Sequence, residues 1–137
     1  VKAVLEALAA RLAGTKLKAE AGKLHECVKL ILDSALRRDY IAYQDHNQRF
    51  HRTVVEASGN QILLKLWDSL AFEVRTRFIL DHLKSDDPND LAKEHADILN
   101  AIEREDTEKA ASLLTTHSNR LVEHLKNQMG SNARETS

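Results

Sequence analysis

At 137 residues the chain has room for one compact domain and little for a second. One proline, four glycines, 42% hydrophobic and 30% charged residues suit a helical globular protein, and the recurrence of Leu, Ile and Val excludes a disordered one. Twenty basic against twenty-one acidic side chains leave a formal charge of −1, too little to draw the chain to nucleic acid or an anionic membrane.

Helical periodicity runs through the sequence, and no stretch alternates as a half-buried strand does. The first predicted helix covers Lys2 to Ala13 with Val4, Leu5, Leu8 and Leu12 on one face, and Gly14 stands where a left-handed residue would end it. Thr15 is placed to cap a second helix presenting Leu17, Leu24, Cys27, Val28, Ile31 and Ala35. Asp39 caps a third that reaches Ser58, with Gly59 as its stop. A fourth, from Gln61 to His82, is the most apolar, through Leu63, Leu66, Trp67, Leu70, Val74 and Phe78. Asp87-Pro88 then reads as a cap followed by proline at the first helical position, where its missing N–H costs nothing. A fifth helix spans Asn89 to Arg104, and Asp106 caps a sixth running to Met129. Six helices with short connections predict an all-α antiparallel bundle over residues 1–129 and a polar tail over 130–137.

No apolar run approaches the roughly 20 residues that cross a bilayer. The opening stretch carries Lys2, Glu6 and Arg11 at intervals, unlike a signal-peptide core. A lone cysteine, Cys27, excludes an intrachain disulfide and fits a reducing, cytoplasmic setting. With Met129 as its single methionine, the chain is expected to be a piece of a longer protein.

Three histidines stand where packing would prefer an apolar side chain. His95 lies in the stripe Leu91, Ile98, Leu99 and Ile102, and His117 in the stripe Ala110, Leu113, Leu114, Leu121 and Leu125. His51 precedes Val54 and Val55 on the third helix and shares its face with Asn47, four residues before. Burying three imidazoles without partners would cost about 1–3 kcal/mol for each unsatisfied group. A shared divalent ion removes that cost, since neutral imidazole is a preferred ligand of zinc, nickel, copper and iron. Residue spacing alone leaves open whether the three helices converge on one ion or each ring is bonded to a carbonyl or hydroxyl. No Gly-rich phosphate loop, paired-cysteine site, Gly-x-Ser-x-Gly elbow or Glu-x-x-His pair is present.

Asn47-Gln48-Arg49-Phe50-His51, continuing to Glu56-Ala57-Ser58-Gly59-Asn60, resembles the Asp-x-x-Phe-His … Ala-x-Gly-Asn signature of the FCD domain, the C-terminal effector-binding half of FadR-subfamily GntR-type transcription regulators. Glu94-His95, Ile98-Leu99, Ala101-Ile102, Asp106, Ala110 and His117 continue the likeness, as do Leu5-Glu6 and Ala9-Ala10-Arg11-Leu12-Ala13 at the start. The resemblance implies an antiparallel bundle of six or seven helices that binds a small carboxylate effector and, in many members, a divalent metal held by one Asp and three His. Carried onto this chain, the histidines are His51, His95 and His117, and the aspartate position is Asn47. It further implies a homodimer, for which the apolar first and fourth helices are candidates, and contact with DNA only through a winged helix-turn-helix preceding Val1.

An Asn47 oxygen can coordinate a cation but brings no charge, so three imidazoles and Asn47 leave a divalent ion uncompensated unless an effector carboxylate or hydroxide joins it. Arg75 and Arg77 flank the apolar face of the fourth helix, and either, Arg75 first, can offer a forked donor to that carboxylate. The expected function is therefore a ligand-sensing regulatory domain holding zinc, nickel or a similar ion, and not an enzyme. A mononuclear metal enzyme and a purely structural dimerisation module are the alternatives. Against the enzyme, Glu94 and Asp97 are expected to point away from the face that carries His95.

Overall fold

The computed structural model describes residues 2–70 and 88–117. Seven helical segments occupy them, with no strand among the described residues: α1 Lys2–Ala13, α2 Lys16–Ala19, α3 Ala21–Leu36, α4 Tyr40–Ala57, α5 over 61–70, α6 Pro88–Glu103 and α7 over 107–117. This is the all-α bundle that the periodicity predicts. Helix α3 packs against both α4 and α6, and α1 lies on α4. The principal core joins Leu24, Ile31, Phe50, Val54, Ile98 and Leu114, among others. A smaller cluster of Ala9, Val55, Leu63 and Trp67 fastens α5 to α1 and α4.

The stripes expected for α3, α4 and α6 are the buried ones, but α1 turns over relative to expectation. Val4, Leu8 and Leu12 are exposed, and the buried face is Ala3, Glu6, Ala7, Ala10 and Ala13. The physical reason is distance: a face of alanines lets two helix axes approach more closely than a face of leucines. The second predicted helix is likewise two segments. The chain tightens at Glu20 (φ −92°, ψ 3°), whose N–H bonds to the Leu17 carbonyl at 3.0 Å, and Thr15 is itself helical and makes no side-chain cap. On α5, Leu63 and Trp67 are buried whereas Leu66 and Leu70 are exposed. The predicted remainder of that helix, Asp87, the end of the sixth predicted helix and the tail lie outside the described residues.

Two corners of the bundle share one construction. After α3, the N–H groups of Arg38 and Asp39 return to the carbonyls of Ala35 and Ser34; after α6, those of Glu105 and Asp106 return to Ile102 and Ala101. Both are Schellman closures, and the left-handed residue is not glycine but Arg38 (φ 54°) and Glu105 (φ 58°). Each is followed by an aspartate that caps the next helix: Asp39 Oδ1 accepts from the Ala42 N–H at 3.1 Å, and Asp106 Oδ1 from the Lys109 N–H at 3.2 Å. Exposed ion pairs join neighbouring helices, Arg11 with Glu108 and a forked Arg52 with Asp68, each worth roughly 0.2–1 kcal/mol.

Gly59, at φ +71° with open space where a Cβ would stand, isolates the conformational term. Gly59→Ala is expected to destabilise by about 1–2 kcal/mol. Gly22→Ala, in helical backbone with equally open space, should stabilise by up to about 1 kcal/mol. Thermal melts of the two variants must therefore shift in opposite directions.

Candidate metal centre

Helix α4 presents Asn47 and His51, α6 presents His95 and α7 presents His117, and all four side chains are buried. The three imidazoles that the stripes select do meet: one ring nitrogen from each lies within 4.8 Å of the others. The His51 and His117 rings stack, their centroids 5.4 Å apart and their planes 14° from parallel. His95 stands edge-on to both, and Phe50 sets its ring against His51 and His95 on the apolar side.

Hydrogen-bond partners decide where the protons sit. His51 Nδ1 donates to Glu6 Oε2 at 3.0 Å, His95 Nδ1 to the Leu91 carbonyl at 3.0 Å and His117 Nδ1 to Glu94 Oε2 at 2.6 Å. A neutral imidazole carries one N–H, so each of these bonds leaves Nε2 as a lone pair. His51 Nε2 and His95 Nε2 then face each other at 3.3 Å, with Asn47 Oδ1 2.6 Å from His95 Nε2. Lone pairs converging in a buried space call for a cation between them.

The donor set fits a divalent metal. Nitrogens bound to one tetrahedral zinc at ~2.0–2.1 Å stand about 3.3 Å apart, which is the separation of His51 Nε2 and His95 Nε2. Asn47 suits the centre in both states. Its oxygen can ligate, and with the amide turned over its NH2 can donate to His95 Nε2. His95 is held well below the usual imidazole range, by burial first and then by the proximity of His117 and His51, so it stays neutral and ready to coordinate.

Two carboxylates belong to this centre that the spacing did not single out. Glu6 is fully buried; besides His51 it accepts the Trp67 indole N–H on Oε1 at 3.0 Å, and it sits inside the alanine stripe of α1. A charged residue in that stripe is the signal that would have found it, had the alanine face been read as the buried one. Glu94 corrects an expectation. It does not turn away from the centre, because α7 packs on its side of α6 and brings His117 to it. Asp97 is exposed as expected, Arg75 and Arg77 lie outside the described residues, and Cys27 is a buried thiol whose pKa burial pushes up.

An all-α domain closed around a buried trio of hydrogen-bonded imidazoles is a helical bundle with a candidate metal centre. The FCD domain family matches residues 1–120, and the chain belongs to that family. It is 36% identical over 121 residues to a probable D-xylose utilization operon transcriptional repressor of Paenarthrobacter nicotinovorans, covering 85% of this chain and 51% of that protein. The chain thus spans about half the length of this relative. No solved structure matches it. No described helix is long and apolar enough to cross a membrane.

The position of His95 sets a pH dependence. Its folded pKa is depressed, so below about pH 6.5 the unfolded chain takes up a proton that the native ring refuses. Its contribution to stability is complete above pH 6.5 and is lost as pH falls from there toward the folded pKa. Urea midpoints measured with chelator present should be level from pH 8 to 7 and decline from pH 6.5 to 5. A level profile throughout would contradict a neutral buried His95.

Proposed function

We propose that this chain is the ligand-sensing and dimerisation domain of a bacterial, cytoplasmic GntR-type regulator of the FadR subfamily. In this reading His51, His95 and His117, with Asn47, hold a divalent ion such as zinc or nickel. A small carboxylate effector completes the site, with Arg75 as its forked partner. Occupancy favours one arrangement of the bundle, and a winged helix-turn-helix ahead of Val1 carries that bias to DNA. The convergence of three Nδ1-protonated imidazoles supports the metal. The repressor among the relatives, named for a sugar-utilisation operon, makes sugar-derived hydroxy acids the first effectors to screen.

Metal analysis after chelator treatment and reloading tests the ion directly. About one zinc or nickel per chain is expected, as is its loss in His95→Ala and His117→Ala. Asn47→Asp should act in two directions at once. A charged ligand strengthens metal binding on the order of 10-fold, while an acceptor-only side chain facing lone pairs lowers the melting temperature of the metal-free protein. A thermal-shift panel of small carboxylates, run with and without metal, should yield a stabilising compound only with metal present.

The reading of the dimer rests on two apolar stripes. Val4, Leu8 and Leu12 on α1, and Ile62, Leu66 and Leu70 on α5, are all exposed, and α1 and α5 are neighbours through Ala9, Leu63 and Trp67. Solvent-facing apolar patches of this kind mark association surfaces. Leu8→Glu together with Leu66→Glu should convert a dimer to a folded monomer in sedimentation analysis.

A further inference from the structure

Three imidazoles and Asn47 are all uncharged as ligands, yet the ion they would surround carries two positive charges. A charge of that size in a low-dielectric core is costly unless opposite charge lies close by. Reading the ligands alone, that charge has to come from outside, with the effector. The fold offers an internal source. Behind His51 stands Glu6, and behind His117 stands Glu94, each bonded to the Nδ1 of its ring at 3.0 and 2.6 Å respectively.

We propose that Glu6 and Glu94 are positioning residues of the metal centre, each fixing the tautomer of its ring and placing a carboxylate behind a neutral ligand, so that negative charge lies near the ion before any effector arrives. The inference rests on the reading above that the histidines hold a metal. Every direct ligand stays neutral, and the anionic groups stand one hydrogen bond behind two of them. The hydrogen bonds fix the geometry as well as the charge. Each carboxylate keeps the proton on Nδ1, turns Nε2 inward and makes the ring a stronger donor to a metal. Trp67 adds to this at Glu6, because an indole N–H can only donate, which holds Oε1 as an acceptor and leaves Oε2 directed at His51. His95 differs from its neighbours: its Nδ1 donates to the neutral Leu91 carbonyl, so it contributes a lone pair and no charge.

Negative charge already behind the ligands changes what the effector must provide: an anion is then not required for the metal to bind.

The test is chelator competition with Ni2+ and Zn2+ on the chain and on Glu94→Gln, Glu6→Gln and the double variant, with circular dichroism reporting the fold. Glu94 lies at the partly exposed edge of the centre, so Glu94→Gln should fold and decides the matter if Glu6→Gln does not. Each single substitution is expected to weaken metal binding about 10–100-fold in the absence of any carboxylate. Adding acetate should restore much of the loss in Glu94→Gln and change the unsubstituted chain little, a response that loss of packing alone would not produce. Equal metal affinity in Glu94→Gln and the unsubstituted chain, or weakening that acetate leaves untouched, overturns the inference while the metal reading stands. No binding of either ion to the unsubstituted chain overturns both.

Discussion

The centre of this domain depends on where three protons reside. Each of His51, His95 and His117 has an acceptor at Nδ1, two of them carboxylates and one a main-chain carbonyl, and this directs the opposite nitrogens toward one another. Reversing any one of these tautomers would turn a lone pair into an N–H aimed at another ring. The acceptors come from α1 and α6, whereas the rings come from α4, α6 and α7. The arrangement therefore exists only when the bundle is assembled, and no pair of helices contains it.

Burial makes the arrangement demanding. Glu6, Asn47 and three histidines together are a large polar load for a domain of this size, and an unmet buried polar group costs about 1–3 kcal/mol. The surrounding apolar packing is correspondingly tight, with Phe50, Ile98 and Leu114 fully or nearly fully enclosed. Helix α1 contributes by being slim. Its alanines bring the α1 backbone close enough to α4 for the Glu6 carboxylate to reach His51.

Much of the fold could be read beforehand, since α3, α4 and α6 carry clean stripes and the corners at Asp39 and Gly59 are spelled by residues with strong local preferences. His51, His95 and His117 were legible for the converse reason, as polar residues interrupting apolar stripes. Glu6 was not, because the leucines of α1 lie on its exposed face, and only the partner helix determines which face is covered. Glu94 sits one residue from His95, about 100° around α6, so its relation to His117 depends on where α7 lies and cannot be had from spacing. The left-handed residues Arg38 and Glu105 were equally hidden, since nothing in arginine or glutamate announces that backbone geometry.

The matching corners before α4 and α7 act as indexing points. His51 stands twelve residues beyond Asp39 and His117 eleven beyond Asp106, so each ring's azimuth is counted off from a capped, rigid start. One inserted or deleted residue in either interval would rotate everything beyond it by about 100° and carry an imidazole out of the centre. Such a length change would leave the composition and helicity of the segment almost untouched. In this family member the spacing from corner to ring thus shapes the histidine cluster as much as the ring itself does.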